Sequence, residues 1–267
     1  MIVGIRGSGI AATGCAHLLR GAGLRVSHEA TLRRPVPTIM LSDTALALMR
    51  DVFGRTDLFA NSPRITRRVI SWGGRVVTVP HDAVMLSEMD IHTEMLGALS
   101  DLDKAGYSIE AADFSVHAAP SMPNGVLHCF GERDAVAARV RLLDPACATE
   151  GRVEAVATGW LFLVPASPDE GWLLGVGGSL DALLAQSRLI APVVDPVGGS
   201  SVPFMAAPRM LLPLCGDDWL ACGTAAIGFD PICGDGTAQS VREAILASAV
   251  LLAIAEGGDR QQLLTHY

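Results

Sequence analysis

Two glycine-rich turns at opposite ends of the chain hold the residues best suited to bind a large, electron-rich ligand. Near the start, Gly7-Ser8-Gly9-Ile10-Ala11-Ala12 has the spacing G-x-G-x-x-A. That pattern suits a pyrophosphate. The first glycine permits a tight turn, the second has no Cβ to obstruct phosphate, and the alanine lets a helix lie close to a sheet. Glu29 follows Gly9 by twenty residues, the distance at which an acid meets ribose hydroxyls. An acid there, rather than an arginine, disfavours a 2′-phosphate and so NADP. Near the other end, Gly223-Thr224-Ala-Ala226 and Phe229-Asp230-Pro231-Ile-Cys233-Gly234-Asp235-Gly236 lead into a long apolar stretch. Such a turn brings a helix N-terminus, with its free N–H groups and partial positive charge, up to an electron-rich group. The two turns together point to FAD.

Simple elements position these turns. Ile2-Val3-Gly4-Ile5 reads as a buried parallel strand, residues 10–21 as a helix stopped at Gly21-Ala-Gly23, and Leu24–Ser27 as a returning strand. Trp219-Leu-Ala221 reads as the strand before the second turn. Between the ends, Ser42 or Asp43 caps an expected helix over Asp43–Phe53 that Gly54 stops. Arg64–Ser71 and Arg75–Val79 alternate around Gly73-Gly74 as a hairpin. Helical periodicity covers Asp90–Leu102, with Met89, Leu96 and Leu99 on one face, and Ser108–His117 and Gly125–Phe130 read as strands. Gly159–Pro165 and Gly171–Val176 form a second hairpin around Ser167-Pro-Asp-Glu. A helix is expected over Leu180–Ile190, then a Pro/Gly/Ser-rich loop at 192–203. The pattern is α/β with a discontinuous plan. Residues 1–60, 84–150 and 208–267 would form the ligand-binding domain with a parallel sheet. Residues 61–83 and 151–207 would form a smaller antiparallel β domain for substrate.

Composition narrows the function. The chain has 267 residues, half of them hydrophobic and 18% charged, enough for a well-packed core. A net charge of −8 with no basic block argues against nucleic acid. The longest apolar stretch, around Ala244–Ala255, contains Ser248 and is shorter than a bilayer span, so no membrane is expected. Met1 is followed almost at once by a strand and no secretory pattern, so a cytoplasmic location is expected. The six cysteines have no C-x-x-C or C-x-x-H spacing, which removes an obvious zinc site and a thioredoxin-type pair. Cys233 alone falls at the proposed ligand edge. His81 and His92 are candidate bases, and no catalytic residue is assigned.

With these residues placed, the chain resembles the FAD-dependent oxidoreductases of the para-hydroxybenzoate hydroxylase and tryptophan halogenase class. Gly7–Ala12 with Glu29 is similar to that family's ADP-binding start. Phe130-Gly-Glu-Arg133 resembles the Ala-Thr-Gly-Arg stretch ending its central strand, and Gly159-Trp160 to Pro165 the first strand of its substrate-domain hairpin. Pro208-Arg209, Gly223–Ala226, Phe229-Asp230-Pro231 and Gly234-Asp235-Gly236 resemble its second flavin motif. The resemblance implies a Rossmann-like FAD-binding domain interrupted by an antiparallel substrate domain. It implies FAD contacts at Gly7, Ser8, Gly9, Ile10, Ala11, Ala12, Glu29, Arg133, Gly223, Thr224, Asp230, Pro231, Gly234, Asp235 and Gly236.

The departures are specific. Thr224 stands where the family has an aspartate that contacts the ribityl chain, and Ser87-Glu88 where hydroxylases commonly have an arginine before the middle helix. Trp160-Leu-Phe-Leu-Val-Pro165 lacks the second tryptophan of the halogenases, and the only lysine, Lys104, is not at the halogenase lysine's place. The sequence stops soon after its last helix, so no C-terminal cap is expected, and Trp72, Trp160, Phe162, Trp172 and Phe204 of the inserted hairpins are expected to form the substrate pocket. The expected function is a flavin monooxygenase-like enzyme acting on a small or peptide-borne organic substrate. With no second glycine motif for NAD(P)H, either an external reductase or transient nicotinamide binding on the flavin domain is expected to supply electrons. The alternatives are a flavin dehydrogenase or reductase, and a catalytically degenerate flavin-fold binding or maturation protein.

Overall fold

The apolar run that opens the chain forms β1 (Ile2–Arg6), with Val3 and Ile5 fully buried. The glycine turn leads into α1 (Ile10–Gly21), and the chain returns as β2 (Arg25–Glu29), parallel to β1. The computed structural model describes residues 1–31, 34–99, 111–120, 122, 124–197 and 201–267. The expected segments 100–102 and 108–110, Lys104, and the side chains of Leu96 and Leu99 lie outside the described residues.

β3 (Ile39–Ser42) runs straight into α2 (Asp43–Phe53), where Ser42 Oγ accepts the Ala45 N–H at 3.3 Å and Gly54 closes the helix at φ 62°. β4 (Arg64–Trp72) and β5 (Arg75–Leu86) form the expected hairpin, and β5 continues well past Val79. There follow α3 (Glu88–Leu99), β6 (Phe114–His117), β7 (Val126–Cys129), β8 (Asp134–Leu142), β9 (Glu150–Val156) and the hairpin β10 (Gly159–Pro165) with β11 (Glu170–Val176). Next come α4 (Leu180–Leu184), β12 (Val194–Pro196), β13 (Val202–Met205), β14 (Arg209–Leu212), β15 (Trp219–Ala221) and β16 (Ile227–Gly228). The chain closes with α5 (Gly236–Ala255) and α6 (Arg260–His266).

The strands make three sheets. A parallel sheet of order β15-β6-β1-β2 brings both chain ends together. A nine-stranded mixed sheet runs β12-β8-β11-β10-β9-β4-β5-β3, with β13 also on β8 and only β4–β9 parallel. A small antiparallel sheet joins β16, β14 and β7. The fold is thus mixed α/β, with a Rossmann-like parallel unit beside a large antiparallel one.

One boundary differs from the sequence-based division. β8 falls in the segment 84–150 assigned to the ligand-binding domain, yet it pairs with β11, β12 and β13 in the large sheet. β3 and the end of β5 join the same sheet. Alternation along a strand shows that one face is buried, whereas the sheet that receives it depends on distant partners.

α1 and α5 pack tightly. A Cβ on Gly14 would stand 3.0 Å from the Ala244 Cβ, and the shared core includes Cys15, Leu19, Phe114, Val116, Leu220 and Leu251. α5 is longer than the apolar stretch read from sequence. At 20 residues it meets the length and apolarity of a membrane span, while Val241, Ala244, Ala247, Ser248 and Leu251 are buried within the fold. The large sheet is covered on both faces. Met40, Ile65, Met85, Trp160 and Phe162 face the glycine turn near Ile232, and Leu161, Leu163 and Leu173 lie under α4 on the other side.

The helix expected over Leu180–Ile190 ends at Leu184. The cause is Glu154, buried on β9. Its carboxylate accepts the N–H groups of Arg188 at 2.7 Å, Leu189 at 3.0 Å and Ile190 at 3.0 Å, together with the Ser187 hydroxyl. Backbone donors that a continued helix would use internally are captured by a side chain. Burial alone would raise the Glu154 carboxyl, but these bonds outweigh it and hold the group below its ordinary value. A depressed carboxyl adds stability above its unfolded pKa, and this is lost as pH falls through the folded one. Glu154→Gln should therefore cost about 2 kcal/mol at pH 7. Chemical denaturation at pH 7 and pH 4 checks this, with the gap to wild type expected to narrow in acid.

Candidate functional site

The first turn is built by backbone more than by side chains. Gly7 sits at φ 142°, donates its N–H to the Glu29 carbonyl at 3.0 Å, and accepts from His28 Nε2 at 2.7 Å. The Ser8 hydroxyl donates to the Thr31 carbonyl, tying the turn to the chain after β2. Gly9 stands at the head of α1 with φ −88° and ψ 176°, a conformation open to every residue. The backbone there does not need glycine, so its value lies in leaving the helix N-terminus open to a ligand. No side chain caps α1, and its first turn carries no acid. Glu29 lies beside this turn at the end of β2, 3.3 Å from Arg6 Nε, lining a small cavity with Thr31 and Pro120.

The second turn meets the first. Gly223 is at φ 65°, and a Cβ on it would stand 2.7 Å from the Ala11 Cβ, so only glycine lets this turn reach α1. Thr224 is exposed beside it. Asp230 Oδ1 accepts the Ile232 N–H at 3.1 Å and shapes the approach to Gly234. Asp235 precedes α5 without capping it, because its carboxylate is bonded to Arg242 at 2.9 Å. α5 also has no acid in its first turn.

Both helix N-termini therefore open into one cavity of about 290 Å³, where Gly9, Ile10 and Ala11 of the first turn meet Thr224, Gly234, Gly236 and Thr237 of the second. An adjoining cavity of about 380 Å³ shares Thr224, Gly234, Gly236 and Ser240 and adds Asp230, Pro231, Asp235 and Phe204. Cys233 is exposed on its wall. Two partial positive charges beside one cleft could hold an anionic ligand such as a dinucleotide. Ala12 is buried in the contact between α1 and the sheet. Arg133 lines neither of these cavities itself and reaches the cleft through Asp230. It pairs with Asp230 at 2.6 Å and lines a different depression with Asp134 and Gly177. Its proposed role followed from its place after Phe130-Gly-Glu, and the ion pair to a residue 97 positions away was invisible there.

The surroundings of Glu88, His92 and His81 become visible only in three dimensions. Glu88 is buried on the wall of the first cavity. Its carboxylate accepts the Val36 N–H at 2.7 Å, while its own N–H goes to the Val36 carbonyl at 2.9 Å, fixing the extended segment before β3. His92, one of the two candidate bases, backs Glu88 at 3.6 Å and lines neither cavity. His81, the other, lies on the large sheet with its Nε2 buried.

Glu243 was not singled out from sequence, although it is the one acid of α5. It is buried, accepts the Gly223 N–H, and takes the Gln239 amide at 3.0 Å. Burial pushes its carboxyl above the ordinary value, against the opposing effect of those two bonds. The folded state then holds the proton more tightly than the unfolded one, so stability falls as pH rises from the unfolded pKa through the folded one. Glu243→Gln keeps an acceptor for Gly223 and removes the charge. Wild type should lose melting temperature between pH 5 and pH 7.5 relative to this variant. Parallel curves across that range would show that Glu243 does not titrate there.

No family model matches the sequence, and no curated protein sequence matches it. Solved structures do match. The flavin-dependent brominase Bmp2 superposes with a TM-score of 0.82 at 18% identity, over 100% of this chain and 83% of that one. The peptidyl tryptophan dihydroxylase QhpG gives 0.74 at 18% identity, over 98% of this chain and 69% of that one. A variant of HpxO from Klebsiella pneumoniae, solved with FAD, gives 0.71 at 15% identity over 100% and 84%. From end to end, the chain has the fold of the FAD-dependent halogenases and monooxygenases of the para-hydroxybenzoate hydroxylase and halogenase class.

Proposed function

We propose that the chain binds FAD in the joined cavities and works as an FAD-dependent oxidoreductase of monooxygenase type. The observation that carries this reading is the convergence of two uncapped helix N-termini, from opposite ends of the chain, on one cleft. Gly7, Ser8, Gly9 and the start of α1 would cradle the pyrophosphate, Glu29 would meet the adenosine ribose, and Thr224 would offer one hydrogen bond to the linking chain. The turn Asp230–Gly236 and the head of α5 would face the redox-active ring. Bound there, FAD supplies electron transfer and oxygen activation. The protein supplies orientation, a dry wall from Met40, Trp160 and Phe162, and positive potential where negative charge gathers.

Monooxygenation is favoured over halogenation because the second tryptophan of the halogenase motif is absent from Trp160–Pro165. An external reductase is proposed as electron donor, and a small or peptide-borne molecule as substrate. A dehydrogenase without oxygen insertion is the nearest alternative. One observation favours a non-catalytic binding role instead. Glu88 places a carboxylate on the wall of the cavity meant for an anion, and like charges at close range disfavour binding.

The absorbance spectrum of the purified protein, with flavin released and identified after denaturation, tests the reading directly. Flavin bands near one FAD per chain are expected, and a colourless protein that ignores added FAD would sink it. Gly9→Val should fold normally and lose FAD affinity roughly hundredfold, the scale of lost hydrogen bonds to a charged group. Glu88→Gln keeps an acceptor for Val36 and removes the charge, so FAD should bind several-fold tighter by equilibrium titration. With FAD in place, oxygen uptake by the reduced protein that depends on added phenols or indoles separates a monooxygenase from a dehydrogenase.

A further inference from the structure

Two consecutive arginines on β4 have opposite surroundings. Arg67 Nε meets Glu150 Oε2 at 2.8 Å, and the buried Glu150 also holds Arg152. Arg68 points to the face of the large sheet that looks toward the second glycine turn. Its stem lies over Gly151, and its guanidinium carbon stands 5.6 Å from the centre of the Phe162 ring. Nη2 reaches the Met40 sulfur at 3.6 Å, and Nε is buried with no hydrogen-bond partner. A Cβ on Gly234 would stand 2.8 Å from Nη2, so the guanidinium abuts the turn itself. No acid among the described residues pairs with it, and burial alone lowers its pKa. Arg68 is half-buried, and arginines withdrawn from water are ordinarily paired, because an uncompensated charge in a desolvated site is costly.

His81 stands beside this cation for a structural reason. Between the pairs Ile65↔Ala83 and Arg67↔Pro80, β4 contributes only Thr66 while β5 contributes both His81 and Asp82. This is a β-bulge, a device that re-aims side chains and is common next to active sites. His81 Nε2 is buried and unpartnered, and burial, then the charge of Arg68, lowers the ring's pKa below its ordinary value against the weaker pull of Asp82 and Asp43. The surrounding surface is apolar: Ile70, Met85, Trp160 and Phe162.

We propose that Arg68 and His81 form the receiving site for the carboxylate of an organic substrate whose apolar body lies on Phe162 and its neighbours. The guanidinium supplies the charge and His81 a further hydrogen bond, opposite the Gly234 turn. The proposal rests on the oxidoreductase reading for the fate of the bound anion, while binding itself is measurable without flavin.

Calorimetric titration of FAD-free and FAD-loaded protein with benzoate and with benzamide, its neutral near-isostere, tests it. Benzoate should bind at least about tenfold tighter, as one charge-assisted pair in a desolvated site gives. Arg68→Met should erase that preference, and Arg68→Lys should keep part of it. Arg68→Met should also melt at or above the wild-type temperature, since it replaces an unpaired charge by an apolar chain of similar length. Wild type that does not prefer benzoate, including wild type that binds neither, overturns the proposal. So does a preference that survives Arg68→Met, or a variant that melts well below wild type. Loss of FAD affinity in Arg68→Met with the benzoate preference intact assigns the guanidinium to the flavin and also overturns it. A wild type that ignores FAD defeats the oxidoreductase reading, and the FAD-free benzoate comparison still decides this one.

Discussion

The site exists because α1 and α5 approach closely enough for their N-termini to share one cavity. Small residues where α1 meets α5 and the turn after β15 make this possible: Gly14 against Ala244, Ala11 against Gly223, and Cys15 with its sulfur 4.0 Å from that of Cys222. A larger side chain at any of these points would push the helices apart and move two turns at once. Glu243 reinforces the same joint by holding the Gly223 N–H from α5, and the Tyr267 hydroxyl bonds the Ala221 carbonyl at 2.7 Å one strand back. Structures of 18% identity keep this architecture across the whole chain, in keeping with a fold set by close backbone contacts more than by particular large side chains.

The second wall comes from the large mixed sheet. Its inner face presents Met40, Met85, Trp160 and Phe162 to the turn that contains Ile232, so the cleft is enclosed by elements from both units. The hairpin β4–β5 contributes more than its turn suggests. It carries Arg67 into an ion pair with the buried Glu150 of β9, and it sets Arg68 against Gly234 with the bulged His81 beside it. One strand thus stabilises the sheet on one side and shapes the site on the other.

Electrostatics within the cleft is mixed. The helix ends favour negative charge, and Arg68 adds to that preference. Glu88 opposes it, and Thr224 offers a hydrogen bond without charge. Glu88 also has a structural task in holding Val36, and both the Glu88–Val36 clamp and the Asp230–Arg133 pair shape the cavity walls through bonds that span distant parts of the chain. Affinity for an anionic ligand is a balance among these groups, not a property of the glycine motif alone.

Local features were legible in the residues themselves. The Gly7–Ala12 turn, the Ser42 cap, the Gly54 stop, the Gly73-Gly74 hairpin and the Gly223–Gly236 turn each depend on neighbours a few positions away, where dihedral preference and short hydrogen bonds decide the outcome. The mutual arrangement of the two ends was legible too, because each turn makes chemical sense only beside the other. Long-range choices were left to the tertiary structure. The stop of α4 is imposed by Glu154 from β9, the sheet of β8 is chosen by β11, β12 and β13, and Arg133 is drawn to Asp230. Burial of Glu88 and Glu243, and of single ring or guanidinium nitrogens of His81 and Arg68, likewise sets them apart from ordinary surface groups, and it arises only when strands and helices far apart in the chain enclose them together.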